Sequence, residues 1–489
     1  MLRQPSGTSL QDEHHTQRGS MDEERQNAYY QLIYALLNSP SGQELEILLA
    51  QPDLFDADLV QTMLQVAANM IGQGDLNTSN QLMNFAGQML GVYGGIPLQL
   101  ISGNSSIWKQ LEADQLMQQG VEKLQCGQSQ AALHSWQQAL TIFQEIGDRQ
   151  GEGSALGALG NAYHSLEDYV KAIEYNKQHL VSAQEIQDRQ GEGVALGNLG
   201  FAYYSLGDYD QAMKYQQQSL TIAREVKNRY GEGTALLNLG LAYSSVGNYD
   251  KATEHLLLSL EIAQETTDRY GEGQSLGALG SVDYALKNYE EAIEFYRQCL
   301  IVKQEVQDRK GEAVVLKDLG RAYHALKDYD KAVESYQEYL AIVRELQDSQ
   351  EEWATLGTLG LAYREQGYHT KALEYFEQGL MMAWELQDRQ KVAMVLGVLA
   401  VTYRILGKCE LAIDYHQQRL AITRQIQDRQ GEGTALQDLG VVYTYLGDNK
   451  KAIEHHHQHL VIAQELHDCK EEWNALLNLG NAGLPYLVC

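Results

Sequence analysis

The dipeptide Leu-Gly recurs at 159/160, 199/200, 239/240, 279/280, 319/320, 359/360, 439/440 and 479/480, with Leu399-Ala400 in the one intervening place. Neighbouring copies stand 40 residues apart. A motif at fixed period is an architectural unit rather than a site, because one supersecondary element is being copied and stacked. The same period carries GEG at 151, 191, 231, 271 and 431, with GEA at 311, EEW at 351 and 471, and KVA at 391. A Gly-x-Gly ahead of an apolar run can mark a phosphate-cradling loop. Here the spacing is G-x-G-x-x-x-G, no strand pattern precedes it, and the repetition argues against a cofactor site.

Each unit reads as two helices. In the copy beginning at Gly191, Leu196, Leu199, Tyr203 and Leu206 lie three or four residues apart on one face. Gly207-Asp208 breaks that helix, and a second face follows with Tyr209, Ala212, Met213, Leu220, Ala223 and Val226. Asn228 ends it. Asp148, Asp188, Asp268 and Asp308 stand where the N-cap of the following helix belongs. No proline falls between 98 and 484, as a nearly continuous helical array requires. An interior glycine costs roughly 0.5–1 kcal/mol against alanine. Its recurrence at 160, 200 and their equivalents therefore predicts a close backbone approach by a neighbouring helix.

Leu159-Gly160, Tyr163, Asp168-Tyr169 and Lys171-Ala172-Ile173-Glu174-Tyr175 together resemble the tetratricopeptide repeat. The usual proline near the end of the second helix is absent. That helix runs on through VSAQEIQDRQ, giving 40-residue units similar to the Pins/LGN class of scaffold and to bacterial, especially cyanobacterial, arrays. The resemblance covers about 111–489. It implies an all-α fold: a right-handed α-solenoid, a superhelix of helix-turn-helix units, behind a small N-terminal helical domain. The expected organisation is a disordered tail over 1–20, the helical domain over 21–93, a linker over 94–105, a degenerate first repeat over 106–150, eight units over 151–470 and an incomplete unit over 471–489. Lys123 replaces the aromatic in the first repeat and Trp136 fills its second helix; Asp283 breaks the tyrosine column. Met21 opens a fresh helical pattern and is an alternative start.

The net charge of −28 disfavours nucleic acid and anionic membrane as partners. Hydrophobic residues make up 44%, enough for a continuous core. The five cysteines form no C-x-x-C pair or disulfide frame, and the first twenty residues carry no apolar signal core. Val392–Val401, the longest apolar run, is too short to span a bilayer. A cytoplasmic protein is expected, with no membrane or nucleic-acid partner.

The resemblance also implies where a ligand would lie. First helices of such arrays line a concave groove that holds an extended peptide. Carried onto this sequence, the groove positions are one and four residues after the Leu-Gly glycine and three before it. They give Asn161, Phe201, Arg321, His164, Tyr204, Tyr284, His324, Arg364, Arg404, Thr444 and Lys317 as candidate groove residues. Lys317, Arg321, Arg364 and Arg404, joined by His324, place cations on one face of an acidic protein. Either they hold an acidic peptide through charge-assisted contacts, with Phe201, Tyr204 and Tyr284 as anchors, or they balance nearby acids such as Asp318 and Glu365.

Three other features suggest chemistry and are read as structural. The run His455 to His459 contains a two-ligand spacing, yet its columns are filled elsewhere by Tyr175, Tyr215, Ser219 and Cys299, so no metal is expected. The Glu152/Glu192/Glu232 ladder reads as solvated or inter-repeat ion pairs with Arg149, Arg189 and Arg229, worth little each. MMAWEL, Met381 to Leu386, reads as core between stacked helices. No Ser-His-Asp, Cys-His or phosphate-loop arrangement appears. No enzyme, catalytic residue or cofactor is expected.

The C-terminal NLGNAGLPYLVC is apolar, with Gly483 in the tyrosine column. It docks on the last repeat, mediates self-association, or belongs to a longer protein. The function expected is a non-enzymatic scaffold that binds protein or peptide partners in its groove. The alternatives are a regulatory subunit gating a separate protease or ATPase, and a peptide-signal receptor.

Overall fold

The computed structural model describes residues 25–38, 57–72 and 105–483, with isolated positions at 47, 51, 54, 78, 82 and 86. The expected tail, the start at Met21, most of the linker and the segment around Pro485 lie outside the described residues. The described residues are helices joined by turns, with no strand among them. The chain divides into two compact units, 1–159 and 160–489, within the helix Arg149–Ser165.

In the first unit a small helical core gathers Leu32, Ile33 and Leu36 from a helix over 25–37 with Leu59, Met63 and Ala67 from Ala57–Gly72. The three-and-four spacing puts each set on one buried face. The degenerate repeat follows as Ser105–Gln125 and Ser129–Ile146. Lys123 bonds Ser135 Oγ at 2.7 Å, and Trp136 donates its indole N–H to the Met117 carbonyl at 3.1 Å. Ser105, expected in the linker, already belongs to the helix.

The second unit is a right-handed α-solenoid of helix-turn-helix pairs. Two examples are Arg189–Ser205 with Tyr209–Glu225 and Arg309–Ala325 with Tyr329–Glu345. Cys469–Gly483 is the last first helix. Leucines at 196, 236, 276, 316, 356, 396 and 436 are all buried, as are alanines at 212, 252, 292, 332, 372, 412 and 452. Tyrosines in the last turn of first helices stack on the second helix, Tyr203 on Tyr215 at 5.4 Å and Tyr403 on Tyr415 at 5.3 Å. Such columns build one continuous core from elements that could not bury themselves alone. Asp283, where a tyrosine is missing, accepts from Asn288 Nδ2 at 3.3 Å; burial still raises its pKa.

The caps lie where the acids predict them. Asp188 and Asp308 each accept the backbone N–H three residues on, at 2.9 Å, and Asn228 does the same for Gly231. The repeating glycine has a different cause from the one expected. Gly200, Gly240 and Gly280 are faced most closely by side chains, although at Gly240 the Ala252 carbonyl oxygen of the neighbouring helix also stands 3.3 Å from a would-be β-carbon. They admit the side chain 16 residues on: a β-carbon on them would stand 2.7 Å from Gln216, 2.5 Å from Leu256 and 2.7 Å from Tyr296. The one repeat without this glycine has Ala400 in its place and His416 16 residues on, both buried.

The glutamate ladder forms the expected pairs, Arg149 with Glu152, Arg189 with Glu192 and Arg229 with Glu232, but its carboxylates are more enclosed than those of exposed pairs. Glu232, Glu272, Glu312 and Glu432 are buried. Glu232 takes Arg229 at 2.7 Å and Arg224 of the preceding helix at 2.8 Å, while Arg229 also bonds Glu265 at the end of its own pair. Arg309 joins Glu312 and Glu345 in the same way, both at 2.6 Å. Each arginine thus clasps the start of one helix to the end of the next. The MMAWEL expectation fails in part: Ala383 is buried and Met382 packs against the core, but Met381 and Trp384 are exposed, with Arg389 lying 4.8 Å over the indole. Helical periodicity turns those two positions outward.

Candidate functional site

The candidate groove residues fall along successive first helices, and side chains from adjacent helices meet. The His164 ring stacks on Phe201 at 4.4 Å, and its Nε2 lies 2.8 Å from Ser205 Oγ. Tyr204 OH lies 3.2 Å from Ser245 Oγ. The Arg321 guanidinium sits over the Tyr284 ring at 5.1 Å. In each case a residue four after one glycine touches a residue one or five after the next. The two columns therefore form a single stripe running across the repeats. The inner edge of the stripe rests on the first residue of each second helix: His164 packs on Tyr169, Tyr204 on Tyr209 and Tyr284 on Tyr289.

Within the stripe the candidates differ in availability. Asn161 is exposed and Phe201 is 42% exposed. Thr444 donates its hydroxyl to the Gly440 carbonyl at 2.8 Å, so its polar capacity is spent on its own helix. Two cations are paired within the protein, Lys317 with Glu351 at 2.8 Å and Arg321 with Asp318 at 3.3 Å, and His324 Nε2 lies 2.8 Å from Glu365. Arg364 is half-buried and has no ion pair within 4 Å among the described residues; burial pulls its guanidinium below the ordinary value, with Glu365 opposing. Arg404 is half-buried too, and its charge is felt at Asp438 and His416.

Lys317 and Arg321 line a cavity of about 240 Å³ between the first helices Arg309–Ala325 and Ser349–Glu365. Its other walls are Tyr336, Tyr339, Thr355 and Thr358, with Glu351 at the ammonium. Tyr339 OH donates to the same Glu351 carboxylate. Lys317 and Tyr339 hold that carboxylate below its usual range, against the effect of burial. Burial lifts the Tyr336 phenol to about 12. The arrangement is a compact cationic and phenolic pocket already satisfied by one internal acid, the geometry a carboxylate-bearing ligand would compete for. Sequence columns give Lys317 and Arg321 but not Tyr339 or Glu351, which come from the second helix and the following repeat. The one available signal was size: Tyr339 stands where other repeats have Ser219, Ser259 or Cys299.

A second cluster collects Arg404, His416, Arg419 and Asp438. Arg419 bonds Asp438 at 3.0 Å, and His416 Nδ1 lies 3.9 Å from the same carboxylate. His416 is buried with both ring nitrogens unpartnered, and burial, then Arg419 and Arg404, push its pKa down to about 3. The histidine run divides among faces. His455 stacks on Tyr443 at 5.4 Å, His456 fills the Gly440 hollow, and His459 lies 3.6 Å from Glu471. Among the described residues no group of three or more His, Cys, Asp or Glu is placed to hold a metal ion, and no helix is long and apolar enough to cross a membrane.

Models of the tetratricopeptide repeat match residues 120–185, 192–265, 271–345, 351–425 and 435–470. No curated protein sequence matches significantly. Among solved structures, a signal transduction ATPase with a tetratricopeptide repeat sensor from Pyrococcus horikoshii is similar at 16% identity and TM-score 0.50, over 70% of this chain and 55% of that one. Aspartyl phosphate phosphatase F from Bacillus subtilis is similar at 14% identity and TM-score 0.49, over 73% and 93%. A Rap protein complexed with competence and sporulation factor shows 14% identity and TM-score 0.41, over 73% and 99%. The repeat models cover well over half of the sequence, in register with the helix pairs, and the chain belongs to the tetratricopeptide repeat family.

Proposed function

We propose that this protein is a non-enzymatic scaffold that captures an acidic peptide segment along the stripe of first-helix residues and so bridges protein partners. A protein- or peptide-binding role is what the tetratricopeptide repeats support. The observation that carries the finer reading is the Lys317–Arg321 cavity together with Arg364, which has no ion pair within 4 Å among the described residues. A ligand carboxylate displaces Glu351 from Lys317, or adds to Arg321 beside Tyr284, while Arg364 one repeat on takes a second acid. Phe201 and His164 offer aromatic surface further along. Because these cations are partly exposed, their attraction is screened by salt.

The test is fluorescence polarisation with labelled decapeptides of matched composition, acidic, neutral or basic. Acidic peptides should bind best, weaken as salt rises, and lose at least tenfold in affinity to Arg321→Glu combined with Arg364→Glu. Equal affinity for all three charge classes, or indifference to the double variant, would sink the proposal.

A second reading is a sensor array that gates an effector carried elsewhere. It is favoured by the likeness in fold to the repeat-sensor ATPase, of which this chain spans about half. On that reading the same stripe takes the signal, and a partner with its own active site changes rate when the acidic peptide is added.

A further inference from the structure

A second hollow in the repeat array has a character opposite to that of the Lys317 pocket. A cavity of about 360 Å³ lies between the first helices Arg189–Ser205 and Arg229–Ser245, floored by the second helix Tyr209–Glu225. It exists because two facing positions are small. Gly197 on the first helix looks across at Ser219 on the second, and a β-carbon at Gly197 would meet nothing nearer than the Ser219 hydroxyl at 3.3 Å. One repeat later the first of these positions is Leu237; three repeats later they are Lys317 and Tyr339, and five later Arg419 fills the second. The cavity wall is open to solvent on one side through Val194, Phe201 and Tyr230, which are 48%, 42% and 61% exposed.

None of the residues lining this hollow is charged, in a protein whose net charge is −28. Carboxamides take the polar role instead, and two of them are incomplete. Gln216 is 1% exposed and donates its Nε2 to the Gly197 carbonyl at 2.8 Å, which leaves its Oε1 buried with no partner. Asn198 Nδ2 is likewise buried without an acceptor. A buried polar atom left without a partner is destabilising, so such a pair in one cavity calls for a complement. A missing acceptor and a missing donor, set among Ile222, Val226 and Phe201, match a group with its own C=O and N–H beside an apolar side chain.

We propose that this cavity is a binding subsite for an uncharged amide carrying an apolar side chain, such as one apolar residue of a peptide. Asn198 donates to the ligand carbonyl, Gln216 accepts the ligand N–H, and the side chain lies against Ile222, Val226 and Phe201. The subsite is separate from the acidic-ligand reading and stands or falls without it.

Neighbouring repeats supply the variants. Gly197→Leu imports Leu237 and fills the hollow. Gln216→Leu imports Leu256 from the matching position and removes the unpartnered acceptor. Both residues already occur at these positions in a folded repeat. The probes are N-acetyl-leucinamide and, as the charged control, N-acetyl-glutamate, titrated into the full chain and followed by methyl NMR of Ile222 and Val226. The expected result is saturable shifts with the leucinamide alone, lost in Gly197→Leu and weakened at least tenfold in Gln216→Leu. A leucinamide-tipped neutral peptide binding more tightly than the free amide assigns the source as a peptide; the reverse order assigns a free small amide. Both are binding at this subsite. No saturable shift in the wild type, equal response to the glutamate, or undiminished binding in Gln216→Leu would overturn the proposal. Should Gly197→Leu melt early by circular dichroism, Gln216→Leu and the wild-type titration decide.

Discussion

The Tyr296 ring lies so close over Gly280 that a β-carbon on the glycine would stand 2.7 Å from two of its ring carbons. Tyr296 is 3% exposed and tied through its hydroxyl to Ser281 at 3.3 Å, so it has little freedom to retreat. Gly280→Ala is therefore expected to lower stability by about 1–3 kcal/mol through overpacking. Gly357 lies in a helix with nothing within 4 Å of its would-be β-carbon, and Gly357→Ala should raise stability by about 0.5–1 kcal/mol. Thermal denaturation of the two variants checks the pair; equal effects would contradict the packing described.

Glu232 is buried and held by Arg224 and Arg229, whereas Glu265, bonded by the same Arg229, has a half-exposed side chain. Removing the charge at the first leaves a buried side chain facing the half-exposed guanidiniums of Arg224 and Arg229, of which Arg229 keeps Glu265. Glu232→Gln is expected to cost about 2–3 kcal/mol. Glu265→Gln should cost under about 1 kcal/mol and lose its effect at high salt. Urea denaturation at low and high ionic strength separates them.

Acid sensitivity follows from two sets of groups with depressed folded pKa values. At Glu232 and Glu432 burial raises the pKa, but the paired arginines outweigh it and the net shift is downward. His416 falls to about 3 and His456 to about 4, through burial and then neighbouring positive charge. In every case the unfolded chain binds more protons, so stability is complete above the ordinary pKa and is lost as pH falls towards the folded one. The melting temperature should therefore decline first below about pH 6.5, where unfolded histidines titrate, and again below about pH 4.5. His416→Leu, which imports the Leu256 residue type, should remove about 1.4 kcal/mol per pH unit from the first slope.

Glu351 occupies Lys317 and Tyr339 as an internal stand-in for a ligand carboxylate. If acidic peptides compete for that position, Glu351→Gln should tighten their binding several-fold. The same variant should leave the response to N-acetyl-leucinamide unchanged, since that cavity lies in other repeats. Looser acidic-peptide binding in Glu351→Gln would count against the exchange.

The helix pairs were legible because one spacing recurs often enough to average out local ambiguity. Leu199, Ala212 and the capping Asp188 each state their role in the sequence alone. The cause of the Leu-Gly glycine was not legible, because its partner, such as Tyr296, lies on another helix at a position where side chains range from Asn176 to Phe376. The burial of Glu232 was hidden for a related reason: an arginine three residues away is a common surface pattern, and only the preceding helix, carrying Arg224, encloses it. For the stripe, the columns specify which residues share a face. They do not specify that Lys317 is already matched by Glu351, since that pairing depends on how far each helix is offset from the next, whereas Asp318, three residues before Arg321 on the same helix, was legible as its partner.

The arginine clasps make the array divisible at its own spacing. Excising residues 229–268 would join Asn228 directly to Arg269. At the new seam Asn228 would cap Gly271 where Asp268 did, and Arg224 would reach Glu272 in place of Gln264. Arg269 would still grip Glu305. Every cut end would find a chemically equivalent mate. Proteins assembled this way can lengthen or shorten by whole modules over evolutionary time without passing through an unfolded ancestor, and their reach can be set independently of what they grasp.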